Sequence, residues 1–504
     1  MLAPVLSPRS FPAHRHAPHA NREPSTWRCG SARLGLVALS ALLVVGVAAC
    51  GGGGNGGSSL PAFWAATPAP APPASPEAPA PAAPTPTYKV SGTVKGLLGT
   101  GLVLQNNAGD DLRIAANGSF SFATEVASGA GYAVTVKSQP RILTRVCTVS
   151  HGTGTVADAA IADVAVVCAA PAARFAYATN SGSDNLFPYT VDASTGALGS
   201  MAAPMLGTGP NPLAITVDPT GRFAYVANSG DSTVSAYAIG AGTGVLTPFA
   251  TVATGAMPMS MAVDPTGRFA YVANAGASTV SAYTIDAATG AWRTMAVPVV
   301  ATGSSPHTIT VDPTGRFAYV TNLGAEAVSA FAIDASSGAL SPLAVPTVPA
   351  GVGASAMTLD PLGRFAYVVN MVDDTVSTYA IDASSGVLTP MPTVATGRSP
   401  RAIAVDATGR FAYVVNMAGN TVSAYRIDAG TGALTPMALP TVAARASPTA
   451  IALDPTGRFA YVTNYVSKDV SAYTIDADTG ALAPMAVPTV ATGGIGPTSL
   501  ALSR

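Results

Sequence analysis

The sequence predicts an all-β protein: a seven-bladed β-propeller closed by its own C-terminal strand and preceded by a small β-sandwich. Three observations carry that expectation. The string RFAY recurs seven times, with its Phe at Phe175, Phe223, Phe269, Phe317, Phe365, Phe411 and Phe459, so successive spacings are 48, 46, 48, 48, 46 and 48 residues, a period suited to propeller blades. The 504 residues include 51 Gly and 42 Pro, a composition for short strands and many turns rather than helices. Finally, the first repeat begins directly at Arg174 without an opening strand, while the chain ends in Pro497-Thr498-Ser499-Leu500-Ala501-Leu502, an extra copy of the element that opens the other repeats.

Taken in order, residues 1–49 read as a secretion signal. Leu34 to Ala49 form a 16-residue apolar run behind Arg22, Arg28 and Arg33, short for a membrane span but suited to a signal core. The 33-residue leader ahead of it is as long as a whole typical signal, pointing to a translation start later than Met1 with the cut unaffected. The run ends in Val47-Ala48-Ala49-Cys50, which resembles the lipobox of bacterial lipoproteins. That resemblance implies cleavage before Cys50, lipidation of Cys50 and membrane attachment through it. Gly51, rather than an acidic residue, follows the Cys, which in a Gram-negative envelope implies delivery to the outer membrane.

Residues 50–87 read GGGGNGGSS and then a Pro/Ala-rich tract, compositions that cannot bury a core; they form a linker, flexible first and stiffer after. Residues 88–169 alternate apolar and polar in short runs such as YKVSGTV, GSFSFAT and YAVTVKS, the pattern of a small antiparallel sandwich. Cys147 and Cys168 both sit in apolar strand-like runs, and in an oxidising compartment they are expected to be joined. This segment resembles the Ig-like modules between lipobox and propeller in proteobacterial lipoproteins, implying a spacer or adhesion role.

Residues 170–504 carry the repeats, each read as four strands, illustrated in the third by SMAVD, RFAYVAN, TVSAYTI and AVPVVAT. Asp264-Pro265-Thr266-Gly267 supplies the turn between the first two strands, and Asp286-Ala287-Ala288-Thr289-Gly290 that between the last two. In the second strand Phe269, Tyr271 and Ala273 share one face and Ala270 and Val272 the other, so both faces are apolar and each must be covered by a neighbouring blade. Residues repeated in every blade read as structural: the terminal Asn of each RFAY strand as a loop cap, and Asp218 with Arg222 and their equivalents as turn-stabilising pairs.

RFAYVTN at Arg316–Asn322 and Arg458–Asn464 resembles the signature of the YVTN-repeat propellers, related to the seven-bladed lactonase superfamily that includes 6-phosphogluconolactonase and carboxymuconate cyclase. The resemblance runs from about Arg174 to the C-terminus. It implies His, Arg and Glu residues at one end of the ring, and two of the expected groups are present: Pro306-His307-Thr308-Ile309 precedes Asn322-Leu323-Gly324, and Pro400-Arg401-Ala402 precedes Asn416-Met417-Ala418. A second His is replaced by Ile309 and an Asp by Asn322, while Ala402 and Met417 stand where the family has His and Glu.

A site in a repeat protein is expected where the repeat is broken. Loops entering the first strand and leaving the second open at one end of the ring, and there stand His307, Glu326, Asp373, Asp374, Arg398, Arg401, Tyr465, Lys468 and Asp469. His307, Arg401, Arg398 and Lys468 are the candidate ligand-binding residues, and His307 and Arg401 the only candidates for catalysis. Charged residues amount to 10% with a net charge of -1, which offers no footprint for nucleic acid. A single His within the repeats argues against a metal site or haem ligation, and no cofactor is expected. The functional expectation is a lipid-anchored, extracytoplasmic binding or scaffold propeller whose partner is a protein, a glycan or a small molecule. A lactonase-type hydrolase with a degenerate site is the alternative.

Overall fold

The computed structural model describes residues 84–97, 100–140, 145–169, 171–201 and 205–503. The expected signal, Cys50 and nearly all of the linker lie outside the described residues, and those described form strands and turns without a helix.

Ahead of the repeats, two four-stranded sheets share one apolar core that includes Val90, Leu104, Phe122, Val134 and Val166. One sheet is ordered Gly118–Ser121, Val90–Lys95, Ile161–Ala169, Val146–Ser150; the other Asp110–Ile114, Leu102–Asn106, Gly131–Ser138, Thr153–Thr155. One pairing departs from the antiparallel expectation: Val90–Lys95 and Ile161–Ala169 run parallel. Alternating hydrophobicity reports which face is buried, and it is silent on strand direction. Cys147 and Cys168 are disulfide-bonded and lie directly opposite one another on neighbouring strands.

Each RFAY unit is the centre of its own sheet. In the third, Pro258–Val263, Phe269–Asn274, Thr279–Ile285 and Trp292–Ala301 pair in sequence, and units two to seven all share this order. The first differs: its inner strand is Pro497–Ser503, paired antiparallel with Phe175–Asn180, and its outer strand is split into Leu198–Ser200 and Leu206–Gly207. Each inner strand lies against the inner strands of the next units, and Pro497–Ser503 lies against both Pro212–Val217 and Pro448–Leu453. As the alternation required, Phe269, Tyr271 and Ala273 pack on the fourth unit, and Ala270 and Val272 on the second.

The joint between units explains why RFAY and the Asp-x-x-Ser/Thr-Gly turn recur together. The Tyr hydroxyl of each RFAY donates to the carbonyl of the turn glycine in the following unit at 2.7–2.9 Å, from Tyr177 to Gly244 through Tyr461 to Gly196. Gly290 shows why that residue is glycine. Its φ is 72°, and a Cβ there would meet the Phe223 ring at 2.5 Å, so a side chain would be both strained and blocked. Arg222 stacks on Phe223, 5.0 Å from its centroid, and donates to the Ala287 carbonyl of the same turn.

That geometry refines the expected Asp–Arg pairing, which runs through the arginine's backbone N–H and not its guanidinium. Asp218 accepts from the backbone N–H groups of Arg222 and Phe223 at 2.8 and 2.7 Å, while the guanidinium reaches the next unit. Among the described residues only Arg364 and Asp360 form the ion pair. A carboxylate facing several orphan amides is already satisfied, which frees the long cation for the neighbouring carbonyl. The repeated Asn residues close the loop between the second and third strands, as expected of caps, and also reach the third strand itself. Asn228 is fully buried and donates to Thr233 and Ser235 of the third strand, an arrangement shared by Asn274, Asn370 and Asn416.

Candidate functional site

The inner strands determine where the site lies. Each opens with a β-bulge. Pro306 faces Asn322 and Thr308 faces Thr321, so His307 is the extra residue; Arg401 is the extra residue between Pro400 and Ala402. The same register shift makes Leu213, Met259, Ser355, Thr449 and Thr498 the bulged residues of the other units. A bulge breaks strict alternation and lets two successive side chains turn to the same side. Six of these residues line one cavity of about 180 Å³: Thr498, Leu213, Met259, His307, Arg401 and Thr449. In the fifth unit Ser355 is fully buried instead, and Ala356 takes the lining position. Because every unit contributes, the cavity sits where the seven inner strands converge.

His307 and Arg401, separated by almost a hundred residues, therefore meet in one site. No carboxylate lines it. The Arg401 side chain makes no ion pair and no hydrogen bond with any described residue, and partial burial lowers the pKa of its guanidinium. Both ring nitrogens of His307 are buried without a hydrogen-bond partner, although the residue as a whole keeps partial exposure. Burial first, and then the charge of Arg401, hold its pKa down to about 3 from 6.5; the nearby Ser355 backbone opposes this only weakly. A neutral imidazole beside a half-buried cation can donate or accept one hydrogen bond, yet it is a weak base at neutral pH.

This arrangement predicts a pH effect on stability. The unfolded chain takes up a proton at His307 near pH 6.5, whereas the folded chain resists until about pH 3. Stability is therefore full above pH 6.5 and falls on acidification, by at most ~1.4 kcal/mol per pH unit from this residue. Loop aspartates such as Asp334, held below the usual carboxylate range first by the hydroxyl of Ser336, act only at more acidic pH. Thermal melts between pH 7.5 and 5 should slope less for His307→Gln than for wild type; parallel slopes would refute a neutral buried His307.

The other expected site residues are elsewhere. Arg398 and Lys468 are not among the residues lining the cavity. Lys468 occupies the left-handed region in its turn (φ 59°), and Asp469 pairs with Arg445 at 3.0 Å while accepting from Asn464. Ile309 is buried between units and Asn322 holds Ser329, so neither departure from the family pattern faces the cavity, whereas Ala402 does. Sequence reasoning missed Leu213, Met259, Thr449 and Thr498. Their signal was the varied column after the strand-opening position, in which only the charged and imidazole members stood out.

Two further cavities, of about 470 and 280 Å³, occupy equivalent places in the fifth and second units and contain neither His nor Arg. Among the described residues no three His, Cys, Asp or Glu side chains group so as to hold a metal ion.

The profile of the family described as "Lactonase, 7-bladed beta-propeller" matches residues 125–248, 202–302 and 296–495, together well over half of the chain. The chain belongs to this family. Solved structures show the same fold. A putative 6-phosphogluconolactonase from Bacteroides fragilis has a TM-score of 0.59 at 20% identity, over 66% of this chain and 98% of that one. The periplasmic gluconolactonase of Pseudomonas aeruginosa has a TM-score of 0.58 at 20% identity, over 66% and 99%. A protein from Lactobacillus plantarum has a TM-score of 0.58 at 22% identity, over 66% and 100%. No curated protein matches the chain.

Proposed function

We propose that the chain is a lipid-anchored propeller of the cell envelope whose axial cavity binds a small organic anion, with ring closure by Pro497–Ser503 and the small β domain as a spacer. The observation that carries this reading is Arg401, a half-buried cation that meets no protein acceptor in a cavity lined by residues from all seven units. Burying such a charge without a partner is costly, and a ligand carboxylate offsets the cost through the planar donor fork. His307 supplies a second, neutral contact. Binding needs only these groups, whereas lactone turnover also needs an acid or base near neutral pH, for which the lining offers only the depressed His307.

Lactone hydrolysis is the second reading, favoured by family membership and by His307 and Arg401 standing in family motifs. An assay of sugar-derived and muconate-type lactones on the purified protein, with His307→Ala and Arg401→Ala, separates the two. Weak or absent turnover with anion binding that both variants impair is expected. Robust hydrolysis lost in both variants would replace binding by catalysis.

The envelope location rests on the lipobox-like junction and on the Gly tract that follows. Cys50→Ser is expected to move the protein from the membrane fraction to the soluble fraction. Continued membrane association would refute the lipid anchor.

A further inference from the structure

The inner strands follow one another around the axis in chain order, so the cavity has a readable angular layout. Beginning at the first unit, Thr498, Leu213, Met259, His307, Ala356, Arg401 and Thr449 line it, one from each unit, and Ala214, Ser260, Thr308, Ala402 and Ser499 complete the wall. In a seven-membered ring the positions opposite the sixth are the second and third. Arg401 therefore faces Leu213 and Met259 across the cavity.

The hydroxyls beside Arg401 do not add donors. Thr449 Oγ1 donates to the Pro497 carbonyl at 2.9 Å, and Thr498 Oγ1 donates to the Pro212 carbonyl at 2.9 Å. With their protons spent on the neighbouring inner strands, these side chains offer only acceptor lone pairs. Arg401 is thus the sole cation of the lining, and where the far end of a bound molecule must go stand Leu213 and Met259, with Ala214 and the single hydroxyl of Ser260 beside them.

Resting on the reading that this cavity takes an anion, we infer that its ligand is a small monocarboxylate with an aliphatic end, held head-on by Arg401 and capped opposite by Leu213 and Met259. A polyhydroxy acid fits poorly, because the far wall offers its several hydroxyls only Ser260 beside two large apolar side chains. A phosphorylated sugar acid fits worse: it brings a second anionic group to a cavity with one guanidinium. The ligand chemistry of this chain thereby parts from the gluconolactone chemistry in the names of its structural neighbours.

Calorimetric titration of the purified full-length protein with 4-methylpentanoate, gluconate and 6-phosphogluconate tests the inference. We expect 4-methylpentanoate to bind at least about tenfold more tightly than gluconate, and 6-phosphogluconate to bind most weakly. In a Leu213→Thr, Met259→Thr double variant that preference should shrink by about tenfold or more. Gluconate or 6-phosphogluconate binding the wild type as tightly as 4-methylpentanoate overturns the inference while leaving the anion site intact. An unchanged preference in a folded double variant overturns it too, and no binding of any of the three overturns the anion site itself.

Discussion

Removing residues 497–504 is expected to destroy the cooperative unfolding of the propeller, an effect far larger than the length of the deletion suggests. Pro497–Ser503 is paired along the whole of Phe175–Asn180, so its loss exposes the backbone of a strand that is otherwise buried throughout. Leu500 is 7% exposed and packs with Tyr461 and Val470 of the seventh unit, and Thr498 bonds the Pro212 carbonyl of the second. The deletion therefore weakens three units at once. Losing a buried Leu typically costs about 2–5 kcal/mol through lost transfer energy and the cavity left behind. Adding the unpaired strand edge brings the loss to about the whole stability of an ordinary domain, 5–15 kcal/mol. Calorimetric or circular-dichroism melting of the truncated protein should show a broad, early transition with aggregation. Leu500→Ala, a milder change at the same place, should lower the melting temperature without abolishing the transition. A truncated protein with an unchanged melting curve would show that the ring is held together by other means, such as the Arg458 and Tyr461 bonds to the turn at Ser194 and Gly196.

Arg401→Met is expected to move stability and binding in opposite directions. The side chain is half-buried and finds no carboxylate or carbonyl among the described residues, so in the empty protein its partial desolvation is not offset. An unbranched apolar replacement of similar length keeps the packing and removes the charge, so a small gain in stability is expected. The same change removes the cation that an anionic ligand requires. Losing one partner of a buried charge-assisted contact costs about 2–5 kcal/mol of binding, or about thirtyfold and upward in affinity. Melting temperature without ligand, together with carboxylate titration, reads both signs. A variant that melts lower than wild type and still binds carboxylates would refute a binding role for Arg401. The opposition of the two effects is what separates a functional residue from a structural one, since a packing residue loses stability when it is replaced.

His307 and Arg401 were readable as breaks in a repeat, and RFAY, the turn glycines and the displaced C-terminal strand were readable as the repeat itself. Such features depend on short-range geometry and on contact with the next unit, and seven near-identical copies display both. What the chain's own spelling left undecided was the direction of Ile161–Ala169 beside Val90–Lys95, the partner of each RFAY arginine, and the members of the axial cavity. Leu213 and Met259 have the pattern of core residues in an apolar strand, and only the bulge at each strand opening turns them into a cavity wall. Arg398 was a ligand-binding candidate beside Arg401, but three residues along the strand entry leave it outside the cavity lining. The sequence by itself thus determined the units and the two apolar faces by which they meet, which follow from local and nearest-neighbour patterns. Tertiary structure alone decided the site, because convergence on an axis requires all seven inner strands to be in place at once.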